Sequence, residues 1–130
     1  MEIHLKTSQK NCKVLLYERQ AIVAHDIKMT LKKENCEVAR INENHDFEKS
    51  EKPDFIITEI GNSSINDLQK LRILNYSSKH KIPVILILNS FEISLDLLPR
   101  LKVIGKITKP FNSNEIVNLL FQSFYKTNNN

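Results

Sequence analysis

The sequence predicts an α/β fold, a parallel five-stranded sheet covered by helices on both faces. Three observations predict it. Short apolar runs alternate along the chain with stretches of helical periodicity. The strongest runs are continuous rather than alternating, as strands buried on both faces must be. Finally, 130 residues suit about one compact domain with its own core.

The first strand is Val14-Leu15-Leu16-Tyr17. Val23, Ile27 and Leu31 then stack at i, i+4 and i+8 on one face of a helix. A weaker strand follows at Glu37-Val38-Ala39-Arg40-Ile41, and a polar, poorly periodic stretch at 42–52 gives a helix only weak support. Phe55-Ile56-Ile57 is the third strand. Ile65, Leu68 and Leu71 recur at three-residue steps, and Val84-Ile85-Leu86-Ile87-Leu88 is the fourth strand. Pro99 stops a short segment at 91–98, since it cannot continue a helix. Val103-Ile104-Gly105-Lys106-Ile107 is the fifth strand. Val117, Leu120, Phe121 and Phe124 form the stripe of the last helix, which Asn112 caps with Glu115 in a box-like arrangement. A core of about 13–125 is expected, with flexible ends at 1–10 and 127–130.

Composition removes several function classes. With 41% apolar and 26% charged residues the chain is globular rather than disordered. No apolar run approaches the ~18 residues of a membrane span, and the start lacks a signal-peptide pattern. The expectation is a soluble cytoplasmic protein. Cys12 and Cys36 are too few for a zinc cluster or a disulfide framework and are expected to be packed, reduced thiols. They precede the first two strands. His4, His25, His45 and His80 show no metal-site spacing, and His25 reads as a surface residue. The net charge of +4 comes from 19 Lys and Arg against 15 Asp and Glu. Fifteen of those cations are scattered lysines, and there is no tryptophan, so a solvated surface is favoured over a nucleic-acid footprint.

A parallel sheet gathers its functional groups at the carboxyl ends of its strands. Those ends carry Glu18 and Arg19, Glu59, Asn89 and Ser90, and Lys109. Three segments there carry a family resemblance: Lys13-Val14-Leu15-Leu16-Tyr17-Glu18-Arg19, Pro53-Asp54-Phe55-Ile56-Ile57-Thr58-Glu59-Ile60, and Ile107-Thr108-Lys109-Pro110-Phe111. In this order and spacing, from about Lys13 to Tyr125, the sequence resembles the receiver domain of bacterial two-component response regulators. The resemblance implies a flavodoxin-like sheet of order 2-1-3-4-5 and a cis peptide at Lys109-Pro110.

It also implies a set of chemical parts, from which this sequence departs. The phosphoacceptor position holds Glu59 instead of aspartate. A carboxylate one methylene longer is misplaced as a nucleophile, and ~1 Å can cost on the order of 10²-fold. The acidic metal-binding pair has become Glu18-Arg19, which exchanges a ligand for a cation. Leu88 stands at the switch-hydroxyl position and Lys106 at the switch-aromatic one. Lys109 and Glu18 persist, and Gly61 retains a backbone carbonyl of the kind the family offers its metal. Arg19 and Lys109 are expected to hold Glu59 in a salt-bridge network, the alternative being a remnant Glu59 that faces water. A permanent phosphoryl mimic at Glu59 has less support, because the hydroxyl and aromatic are gone.

The expected function is therefore an atypical, phosphorylation-independent receiver domain in two-component (phosphorelay) signal transduction. It would act as a protein-interaction module rather than an enzyme, with weak or no magnesium binding. Its partner would be a histidine kinase or an output protein, or a second copy through the last helix, whose broad stripe includes Phe121, Phe124 and Tyr125. The alternatives are a receiver still phosphorylated by a histidine kinase and a basic nucleic-acid-binding module.

Overall fold

The computed structural model describes residues 12–42, 44–60, 68–88 and 101–128. The elements run β1 (Cys12–Tyr17), α1 (Ala21–Lys32), β2 (Cys36–Arg40), β3 (Phe55–Ile60), α2 (Leu68–His80), β4 (Val84–Leu88), β5 (Val103–Thr108) and α3 (Asn114–Asn128). All five strands pair in parallel in the order β2-β1-β3-β4-β5.

Alternation along the strands divides the core in two. Cys12, Val14 and Leu16 of β1 face α1 and α3, where they meet Ala24, Ile27, Leu31, Ile116 and Leu120. Leu15 and Tyr17 face the other way, onto Ile56, Ile73, Leu86 and Leu88. β4 is buried along its whole length, which explains why its sequence shows no polar alternation. β1 and β2 pair with Cys12 opposite Cys36. A register shift lies between Val84 and Ile85, which oppose Val103 and Gly105 and leave Ile104 without a counterpart on β4.

Local expectations change: β1 starts two residues earlier than its apolar run, at Cys12, and β3 and β5 run on to Ile60 and Thr108. The second strand starts one residue earlier, at Cys36, and ends at Arg40. The described part of 42–52 forms turns, not a helix. The reason is side-chain competition: Asn42 Oδ1 accepts the Asn44 N–H at 2.8 Å and Asp46 Oδ1 accepts the Glu48 N–H at 3.0 Å. The segment is held instead by Phe47, stacked on Tyr76 of α2 at 4.7 Å between ring centroids. At the start of α3, Asn112 Oδ1 accepts the Asn114 N–H while Glu115 Oε2 accepts the Asn112 N–H, a reciprocal cap. The segment 91–98 and its stop at Pro99 lie outside the described residues, as does the flexible end expected at 1–10; of the end expected at 127–130, residues 127 and 128 continue α3 and 129–130 lie outside the described residues.

Candidate functional site

The carboxyl ends of β1, β3 and β5 bring four charged side chains together. Glu18 follows β1 directly and is buried, at 1% exposure; Glu59, in the last turn of the β3 pleat, is 2% exposed. Two buried carboxylates require partners, because a desolvated charge without one is strongly unfavourable.

Each carboxylate has its own cation. Glu59 Oε1 accepts the backbone N–H of Arg19 at 2.6 Å and the Arg19 Nε–H at 3.2 Å. Glu18 Oε2 accepts from Lys109 Nζ at 2.9 Å and from the Gln20 N–H at 2.9 Å. Lys109 Nζ also donates to Gln20 Oε1 at 2.7 Å. The two pairs differ in solvation. The Lys109 and Glu18 side chains are 15% and 0% exposed, whereas the Arg19 side chain is 48% exposed over a Glu59 at 3%. The inner pair is therefore Lys109–Glu18. Glu18 Oε1 is buried without a hydrogen-bond partner among the described residues.

The expected arrangement thus requires a correction. Arg19 reaches Glu59, but Lys109 pairs with Glu18 and Gln20, not with Glu59. The cause is the tight β1–α1 connection. It places the Arg19 N–H on Glu59 and turns Glu18 back onto the Gln20 N–H, which presents Oε2 to the lysine that follows β5. Glu59 does not face water.

Two residues that the strand-end argument passed over complete the site. Gln20 occupies the N-cap position of α1 without a side-chain cap bond, its amide oxygen being engaged by Lys109. Arg40, ending β2, donates from Nε and Nη2 to the Glu18 carbonyl at 3.2 and 2.9 Å, and from Nη2 to the Arg19 carbonyl at 3.2 Å. It clamps the loop that carries both Glu18 and Arg19. The adjacency of β1 and β2 was the signal that could have found it. A cleft of about 680 Å³, lined by Glu18, Arg19, Arg40, Ile41 and Asn44, opens beside this clamp.

Solved structures share this architecture. The signal receiver domain of a putative LuxO repressor protein from Vibrio parahaemolyticus aligns with a TM-score of 0.70 at 19% identity, covering 90% of this chain and 92% of that one. A CheY-like response regulator from Mesorhizobium loti aligns at 0.66 and 17% identity, covering 86% and 98%. A chemotaxis response regulator of Vibrio cholerae aligns at 0.64 and 18% identity, covering 87% and 98%. The chain has the receiver fold. No protein-family model matches the sequence, and no curated protein does.

Within the receiver fold, Leu88 is 6% exposed and packs in the core with Leu86 and Tyr17, so its side chain is committed to packing. Lys106 is exposed on β5. The Lys109–Pro110 peptide bond is cis, and the Lys109 N–H donates to the Leu88 carbonyl at 2.8 Å. Gly61, Asn89 and Ser90 lie outside the described residues, as do the side chains of Phe124 and Tyr125. His25 is exposed on α1. No helix among the described residues is long and apolar enough to cross a membrane.

Proposed function

We propose that the chain is an atypical receiver domain of two-component signal transduction that works by protein contact, without phosphorylation, in the cytoplasm. The observation that carries this reading is the double hold of Arg19 on Glu59 Oε1, through its backbone N–H and its guanidinium. One of the two Glu59 oxygens that could attack a phosphoryl group is thus already bonded to two donors. At Glu18 the other oxygen, Oε2, is bonded to an ammonium and an amide.

That donor set does not suit a divalent ion. Magnesium requires near-octahedral oxygen ligands and commonly one or two carboxylates free to coordinate. Here each carboxylate already has a cation within 3.2 Å, and a guanidinium stands where the family places a second acid. Two carboxylates against Arg19 and Lys109 leave no net charge for a metal to neutralise. Leu88 offers no hydroxyl to a phosphoryl oxygen.

The partner in this reading is a protein: a histidine kinase, an output protein, or a second copy docking through α3. Scattered lysines on the described surface do not favour nucleic acid. A second reading, a receiver that still accepts a phosphoryl group at Glu59, draws support from Glu18 Oε1, a buried oxygen with a lone pair to offer. Incubation with acetyl phosphate and magnesium, read by intact mass, separates the two. The proposal expects no phosphoryl adduct; a stable adduct that maps to Glu59 would replace it with the second reading.

A further inference from the structure

At the opposite end of the sheet, two thiols stand side by side. Cys12 opens β1 and Cys36 opens β2, and the register makes them direct partners across adjacent parallel strands. Both face the α1 and α3 side, in one cluster with Val14, Leu31 and Val38. Both are free thiols, 2% and 3% exposed.

Strand neighbours run about 4.7–4.9 Å apart, which falls within the window of about 4.4–6.8 Å between Cα atoms that a disulfide spans. The two side chains also leave the sheet on the same face, as a cross-strand bridge requires. Cys36 further lines a surface groove of about 450 Å³ with Lys28, Lys32, Asn35, Glu37 and Val38, which gives a small reactant a route to it past two cations and one carboxylate. Asn35, directly before it, sits in a left-handed turn at φ 63°, ending the tight α1–β2 connection that borders the groove.

We infer that Cys12 and Cys36 form a redox-modification site, closing a reversible disulfide between β1 and β2 by exchange with a low-molecular-weight disulfide such as oxidised glutathione. The Cys36 thiolate attacks one sulfur of the small disulfide, which releases one small thiolate and leaves a mixed disulfide on Cys36. Cys12 then loses its proton and attacks the Cys36 sulfur, and the second small thiolate leaves. Two protein thiols are oxidised, one small disulfide is reduced to two thiols, and the two protons go to those thiols. The order follows from access: Cys36 lines the groove and Cys12 is not among its lining residues, and the Cys36 side chain and burial both push the Cys12 thiol above its usual range. In a reducing compartment such a pair is a sensor rather than a staple.

The test holds the folded protein in oxidised glutathione without denaturant, then alkylates, digests without reduction and reads masses. The expected result is one linked Cys12–Cys36 peptide, loss of both alkylation sites, and full return on adding a reductant. Cys12→Ala is expected to stop at a glutathione adduct on Cys36, and Cys36→Ala to react at least tenfold more slowly than wild type. The wild-type peptide map stands even if a variant fails to fold. Two thiols that both stay alkylatable, linkage only in denaturant, or a bridge between two chains would overturn the inference.

Discussion

Lys109 gives the sharpest energetic test of the site. Its ammonium is one of two donors to Glu18 Oε2 among the described residues, and the Glu18 side chain has no exposure of its own. Glu18 Oε1 already lacks a partner among the described residues. Replacing Lys109 with Met therefore leaves a buried carboxylate with a single backbone donor. Removing one member of a buried pair typically costs 3–5 kcal/mol, and the remaining Gln20 N–H with the slight exposure of Lys109 puts this case at about 3 kcal/mol. For a domain of this size that is a fall of about 10 °C in Tm. Adding Glu18→Gln removes the stranded charge, so the double variant should recover about 2 kcal/mol of the loss. Urea denaturation with an unchanged m-value is the assay. A loss below about 1 kcal/mol for Lys109→Met, or strictly additive effects in the double variant, would refute the argument that this pair is buried and coupled.

Other expectations follow from the same geometry. Arg40→Ala should cost about 1 kcal/mol in urea unfolding and broaden the amide signals of Glu18 and Arg19, since three hydrogen bonds to their carbonyls are lost. Burial, then Arg72, lowers the pKa of His45 from its ordinary value, with Asp46 opposing. The imidazole is thus favoured neutral in the fold, so its contribution is present above about pH 6.5 and is lost as pH falls through the lowered folded value. Proton titration followed by amide exchange at Phe47 and Ser50 should show that segment loosening in acid, and His45→Phe should abolish the dependence. Glu59→Asp, Arg19→Asp and Leu88→Thr together should restore a phosphoryl adduct with acetyl phosphate, read by intact mass.

Some of this molecule is written in its sequence and some is not. The continuous runs at 14–17, 55–57 and 84–88 mark strands buried on both faces, because a two-sided hydrophobic environment leaves no polar alternation. Strand order is not encoded in any local pattern; it became accessible through the segments around Glu18, Glu59 and Lys109. The turns near Asn42 and Asp46 were concealed because their cause is a short side chain closing on its own backbone, a local choice that periodicity does not register. Sequence brought Arg19, Lys109 and two glutamates to one crevice. Which cation takes which carboxylate was decided by the backbone N–H groups of Arg19 and Gln20, which no side-chain pattern reveals. Arg40 read as an ordinary strand residue, since its bonds run to main-chain carbonyls on a neighbouring segment.

The central claim is that the crevice supplies its own counter-charge. Magnesium titration of the wild-type protein, followed by the amide signals of Arg19 and Gln20, addresses it directly, because both N–H groups bond to the carboxylates in question. The account predicts no saturable shift below several millimolar magnesium. A saturating shift at sub-millimolar concentration would show that the guanidinium and ammonium yield to the ion.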